Sequence, residues 1–460
     1  MQTSNAYVTT AYNMKSKSFS LLILITLMLV NVSARAQNPF IRNQFTADPS
    51  ARVFNGRVYV YPSHDIKATP GHGRAGWFVM EDYHVFSSDN LTNWTDHGII
   101  ISQNKVPWAD SAAYSMWAPD CIFRNGKYYF YFPTAAKDKT VAKGFTVGVA
   151  VADKPFGPFI PQPQPIKGVQ GIDPNVLIDK DGQAYLYWSQ GNIYAAKLKE
   201  NMLELASAPQ VLENLPTKGL KEGPYMFERK GIYYLTYPHV ENKIERLEYA
   251  TSDKPMGPFK FAGVIMDESP TGCWTNHHSI IEFNNQYYLF YHGNDLSPQF
   301  DKNRSIRIDS LFINADGSIK KVHPTLRGVG LTKATQEIQI DRYSDKSDDV
   351  TIAFLDTANK FEGWKARLNK QGSWIRYNAV DFEKNKLKAV EIQASSQEES
   401  TVEIRLDKID GPVISSVKIG NNANWHLTKT NLSEVPFGKH DLYIILKGKK
   451  PVEIDWIKFE

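Results

Sequence analysis

At 460 residues the chain is too long for one hydrophobic core, so a large and a small domain are the natural division. Its 53 Lys and Arg against 49 Asp and Glu leave a net charge of +4 without a basic run, which excludes a phosphate-binding stripe and hence nucleic acid as a partner. The 12% of aromatic residues suits β-structure and ring stacking on sugar faces, while Cys121 and Cys273 are too few for a disulfide framework or a CxxC zinc site and read as two buried thiols.

In chain order, the first element begins at Met14 and reads MKSKSFSLLILITLMLVNVSARAQ. Lys15 and Lys17 form a basic start, Leu21 to Val30 an apolar stretch, and Ala34-Arg35-Ala36 an A-x-A cleavage site. This is the pattern of a secretory signal peptide, with an apolar part too short to span a bilayer. Residues 1–36 are therefore assigned to the signal, the first 13 to an upstream mis-start or extended basic region. The mature chain is expected outside the cytoplasm, periplasmic or extracellular, with no membrane span and no lipid anchor.

Five stretches then share one pattern: an apolar strand, a polar turn, and a strand carrying Tyr or Phe. They are ARVFNGRVYVYPS (51–63), CIFRNGKYYFYFP (121–133), VLIDKDGQAYLYWS (176–189), MFERKGIYYLTYP (226–238) and IIEFNNQYYLFYHG (280–293). Each reads as a β-hairpin, and the spacing leaves room for two more strands per unit. Four strands per unit make a propeller blade. VADKPFGPF (151–159) and TSDKPMGPF (251–259) are near copies, and FSSDNLTNW (86–94) resembles their start; each fits a loop near the outer edge of a blade. No long helical period intervenes. Residues 37–335 thus predict an all-β, five-bladed β-propeller. Beyond about 345 the repeat stops and short alternating strands follow, so 336–460 predict a β-sandwich, with LTKATQEIQIDRYSDKSDD as linker or first strand.

A polar residue opens the inner strand of each unit: Asp48 in TADPS, Asp120 in WAPDC, Asp173 in GIDPN, Glu222 in KEGPY and His277 in TNHHS. Any one of these is an ordinary turn former. Their shared phase brings four carboxylates and one imidazole to a single pocket on the channel axis. Such a set suits glycosidic hydrolysis, in which one carboxylic acid protonates the leaving oxygen and a second carboxylate activates water on the opposite face. A third carboxylate nearby holds the acid protonated.

The series ADPS, WAPD, IDPN and EGP ahead of Tyr-rich hairpins resembles glycoside hydrolase family 43 over residues 37 to 335. The resemblance implies a five-bladed propeller acting with inversion on arabinosyl and xylosyl linkages of plant polysaccharide, with no cofactor required. It implies Asp48 as general base, Glu222 as general acid and Asp173 as the residue that tunes the acid. It further implies an axial histidine at His277 or His278 that holds a metal ion in some members, leaving room for a structural Ca2+. Arg304 would contact the tuning carboxylate, Arg307 facing the other way, and Trp77, Phe78, Trp117 and Asp120 would line the sugar pocket. The segment 372–459 resembles carbohydrate-binding module family 6, with Trp374 and Trp425 as candidate binding rings. Endo-arabinanase or galactan-directed activity on the same scaffold, and a catalytically silent glycan-binding protein, stay open as alternatives. The long loop 64–84 could wall one end of the cleft and favour exo action.

Overall fold

The computed structural model describes residues 38–460, apart from 270, 331, 359–362 and 384–385. The signal-peptide segment lies outside the described residues.

The hairpin turns form because their residues tolerate left-handed backbone. Asn55-Gly56, Asn125-Gly126, Lys230-Gly231 and Asn284-Asn285 all have positive φ, the geometry that two-residue turns require between twisted strands. Each hairpin is the inner half of a sheet. Blade 1 is β1 (Ala47–Phe54), β2 (Arg57–Ser63), β3 (Asp82–Ser88) and β4 (Thr95–Ser102). Blade 2 is β5 (Asp120–Arg124), β6 (Lys127–Ala135), β7 (Phe145–Ala152) and β8 (Ile160–Pro161). Blade 3 is β9 (Ile172–Ile178), β10 (Ala184–Ser189), β11 (Ile193–Lys197) and β12 (Gln210–Val211). Blade 4 is β13 (Tyr225–Arg229), β14 (Ile232–Val240), β15 (Glu245–Ser252) and β16 (Lys260–Met266). Blade 5 has three strands, β17 (Ser279–Phe283), β18 (Gln286–Gly293) and β19 (Ser305–Leu311).

The inner strands pack in a closed cycle: β1 on β5, β5 on β9, β9 on β13, β13 on β17 and β17 back on β1. The protein is thus a five-bladed β-propeller followed by a second β-domain. Closure uses the residues ahead of β1. Phe40 and Thr46 donate backbone N–H groups to Ile306 and Arg304, and the Asn38 amide reaches the Ile308 and Thr325 carbonyls. This segment covers the outer edge of three-stranded blade 5, an edge that would otherwise present unpaired backbone.

Aromatic rings fill the wedges between blades. Tyr61, Phe86, Tyr131, Tyr187, Trp188, Tyr234 and Phe290 are fully buried. The repeated loops connect third to fourth strands, as expected, and serve this packing. The Tyr61 hydroxyl of blade 1 donates to Pro155 O in the DKP loop of blade 2, at 2.6 Å. Tyr187 of blade 3 makes the equivalent bond to Pro255 O of blade 4, at 2.8 Å. Cys121 and Cys273 are both buried free thiols.

The C-terminal domain is a sandwich of two six-stranded sheets. Its core is mainly aliphatic, built from residues such as Ile375, Ile392, Val402, Ile404, Leu442, Ile454 and Ile457. The pair Thr332–Lys333 already joins the sandwich by pairing with Val380–Asp381, so this domain takes in residues that the sequence pattern gives to the propeller. Among the described residues no helix is long and apolar enough to cross a membrane.

Candidate active site

Asp48 and Asp173 reach the channel through the same local distortion. Each precedes a proline, each has positive φ (46° and 58°), and each sits where the inner hairpin loses register. A residue before proline is ordinarily held extended, so this left-handed backbone is locally strained, a feature that clusters at functional sites. The bulge turns both carboxylates inward. In blade 4 the same place belongs to Gly223, with φ 52°, and Glu222 stands one residue earlier. Counting back from the ladder, His277 is the counterpart in blade 5.

Blade 2 departs from this pattern, and Asp120 is a correction. Its motif is Pro-Asp rather than Asp-Pro, so Asp120 falls at the ladder position of Ser50 and Asn175, two residues further along the strand. There it accepts hydrogen bonds from Ser50 Oγ (2.7 Å), Arg52 Nε (3.0 Å), Asn175 Nδ2 (3.1 Å) and the Val176 N–H (2.7 Å). Every oxygen is in use, and Asp120 ties inner strands together beneath the pocket rather than lining it.

A cleft of about 200 Å³ lies at the channel mouth. Its wall includes Asp48, Asp173, Glu222, His277, Arg304, Trp77, Phe78 and Trp117, which brings the expected site residues together apart from Asp120. The loop 64–84 supplies Trp77, Phe78 and Met80 to one wall.

On the side of blades 1 and 5, Asp48 is held as an anion. Arg304 clamps it with two bonds, Nη1 to Oδ1 at 2.8 Å and Nη2 to Oδ2 at 3.2 Å, and Ser63 Oγ donates to Oδ2 at 2.7 Å. Burial alone would raise this carboxyl; the Arg304 charge overrides it and the pKa falls to about 2. Arg304 is itself gripped by buried Asp65, which accepts from its backbone N–H, Nε and Nη2. The expected partner of Arg304 was Asp173; the structure places it on Asp48 instead, because ring closure sets β19 beside β1. Arg307 does face the other way, onto Asp295. His292 accepts the Asp48 N–H at Nδ1 and bonds the Thr275 carbonyl through Nε2. Burial and the Arg304 charge lower its pKa to about 3, so its 3.5 Å approach to Asp48 is not an ion pair.

The blade 4 side is the electrostatic opposite. Glu222 faces Glu245, which opens β15 and is buried. Burial raises the Glu222 pKa well above its ordinary value, with Glu245, Asp173 and Asp48 adding to the rise. Glu245 is pushed up to about 7 by burial, held back by the Asn276 N–H on its Oε2 at 2.7 Å. The pair therefore shares a proton near neutrality, with Glu222 the more strongly protonated member. Asp173 Oδ2 accepts the Gly223 N–H at 2.9 Å and Ser189 Oγ at 3.1 Å, so it fixes the backbone beside Glu222. His277 Nδ1 stands 4.0 Å from its other oxygen.

His278 is not a pocket residue: it is buried, with Nε2 on Thr236 Oγ1 at 2.7 Å. At His277 the protein offers one imidazole rather than the six to eight oxygens that calcium takes, so water would have to complete the shell of such an ion. Glu245, Trp274, Thr275 and Asp65 escape the sequence reading. Glu245 opens a third strand, outside the repeated hairpin; Asp65 follows a strand end that no motif marks.

A propeller whose channel mouth sets one ionised and one protonated carboxyl around an aromatic cleft is a glycosidase. The comparisons agree: residues 36–319 match the model of glycosyl hydrolases family 43, and residues 343–460 match carbohydrate binding module (family 6). The chain belongs to glycoside hydrolase family 43. It is 37% identical over 335 residues to xylosidase/arabinosidase 43A of Humicola insolens, covering 62% of this chain and 99% of that protein. An arabinoxylan arabinofuranohydrolase of Paenibacillus polymyxa is 27% identical over 94% of this chain and 76% of its own length. Among solved structures, a family 43 β-xylosidase/α-arabinofuranosidase from a compost metagenome, in complex with xylotriose and calcium-free, matches at TM-score 0.55 and 35% identity, over 63% of this chain and 98% of its own.

Proposed function

We propose that this enzyme removes single arabinosyl or xylosyl units from plant polysaccharide with inversion, as an exported protein. The observation that carries the reading is the pairing of opposite environments in one cleft. Asp48 stays ionised and serves as general base; Glu222 stays protonated and serves as general acid. Asp48 takes a proton from a water molecule as that water attacks the anomeric carbon, while Glu222 delivers its proton to the departing oxygen. Asp173 anchors the backbone next to Glu222, and Glu245 keeps that acid charged with its proton. Trp77, Phe78, Trp117 and Trp274 offer faces and edges for the sugar. The wall formed by the loop 64–84 supports exo action, since a chain cannot easily run through on that side. The relatives named for xylosidase and arabinosidase activity support the choice of pentoses.

The sandwich domain is proposed to bind glycan. Trp374 lies 6.0 Å from Tyr443, and Trp425 sits under Lys365; neither ring belongs to the sandwich core. The test of the main reading is hydrolysis of 4-nitrophenyl α-L-arabinofuranoside and 4-nitrophenyl β-D-xyloside by wild type and Asp48→Ala. Turnover of either substrate that vanishes in the variant supports the reading and names the sugar. Turnover that survives in Asp48→Ala removes Asp48 from its role, and cleavage of neither substrate removes the pentosidase reading.

A further inference from the structure

Blade 1 carries a second cluster of ligand-type side chains, apart from the hydrolytic cleft. His64 follows the end of β2, Asp82 opens β3, and His84 stands two residues on in that strand, past a break in its register. One ligand atom from each lies within 4.8 Å of the other two. His64 Nδ1 meets Asp82 Oδ1 at 2.7 Å, and the two imidazole rings lie 5.0 Å apart at 66°. Side-chain exposures of 20%, 8% and 14% leave the group reachable from solvent yet held by its surroundings.

A second observation concerns the support behind the cluster. His84 Nδ1 donates to Asp96 Oδ1 at 3.0 Å, which leaves the Nε2 lone pair free. Asp96 is in turn fixed by Gln44 Nε2 at 3.0 Å and the Gly98 N–H at 2.8 Å. A carboxylate behind an imidazole, itself anchored, is how proteins orient histidine ligands and raise their basicity. Hydrolysis uses none of these groups, and none lines the cleft.

We infer that His64, Asp82 and His84 bind a divalent transition ion of the zinc type, with Asp96 as the outer carboxylate. Two imidazoles and one carboxylate suit Zn2+ and its neighbours, whereas Ca2+ and Mg2+ prefer oxygen shells. Three protein ligands leave a fourth position for water. The place in the chain gives the site a purpose. His64 lies between Ser63, which bonds Asp48, and Asp65, which grips Arg304. An ion on His64 therefore braces the segment that holds Asp48 from behind.

The test is calorimetric titration of chelator-treated, full-length enzyme with ZnCl2, with melting curves in the absence of metal to establish that each variant is folded. One Zn2+ per chain is expected for wild type and equally for His277→Ala, which separates this site from the cleft. His84→Ala should abolish that binding event, and Asp96→Asn should weaken it about ten- to hundredfold. Should His84→Ala fail to fold, His64→Gln takes its place with the same expectation. Absence of Zn2+ binding in wild type, or unchanged affinity in the folded ligand variants, overturns the inference.

Discussion

The two walls of the cleft use the same chemical group to opposite ends. On the side of blades 1 and 5, a buried carboxylate meets a guanidinium and a hydroxyl, and its pKa falls to about 2. On the blade 4 side, a carboxyl meets another carboxyl, and both rise, Glu245 to about 7. Burial acts upward on both sides; the sign of the nearest charge decides the outcome. The proposed acid and base would thus owe their difference to Arg304 against Asp48 and Glu245 against Glu222.

Substitutions on each wall sharpen this contrast. Asp48→Asn removes the anion and should lower kcat on 4-nitrophenyl pentosides by about 10³–10⁴, at the upper end of general base contributions. A loss below tenfold would contradict the base assignment. Arg304→Met leaves Asp48 and Asp65 buried without their cation, and unfolding titrations should show a loss of about 3–5 kcal/mol. In the surviving fold the Asp48 pKa rises, so the acid limb of the kcat/KM profile moves to higher pH. The wild-type limb belongs near pH 2 because the base must be ionised to act.

Glu245→Gln should act on the other limb and more gently. With Glu222 in its proposed role as acid, activity is present below the Glu222 pKa and lost as pH rises through it. Removing the like charge lowers that pKa, and the alkaline limb should move to lower pH with little change in the plateau rate. An unmoved limb would show that Glu245 does not tune the acid. The smallest effect is expected for Trp77→Ala. The residue is 42% exposed on the loop that walls the cleft, so KM should rise several-fold with kcat nearly kept.

Much of this was readable in the residues. The hairpins announced themselves through turns rich in Asn, Asp and Gly and through Tyr-rich second strands, and the nearly equivalent positions of Asp48, Asp173 and Glu222 within the repeat located the cleft, Glu222 standing one residue early. Strand alternation rightly separated Arg304 from Arg307. What escaped depends on contacts distant in sequence. The partner of Arg304 is set by closure of the ring between the first and last blades, which no local pattern encodes. Asp120 misled because Pro-Asp and Asp-Pro look alike in a motif, yet the swap moves the side chain down the strand and out of the bulge. Glu245 carried no signal beyond an acidic residue at the start of a buried strand, and that becomes meaningful only once β15 is seen against Glu222.

The most direct test of the two-walled account is leaving-group dependence in Glu222→Gln and Asp48→Asn, measured side by side. Rates are compared on an activated aryl pentoside and on an oligosaccharide with a poor leaving group. Glu222→Gln should lose far more activity on the oligosaccharide than on the aryl substrate, because only the poor leaving group needs the proton. Asp48→Asn should lose about equally on both, because water must be activated in either case. Equal losses in Glu222→Gln, or a strong leaving-group dependence in Asp48→Asn, would contradict the assignment of acid and base to the two walls.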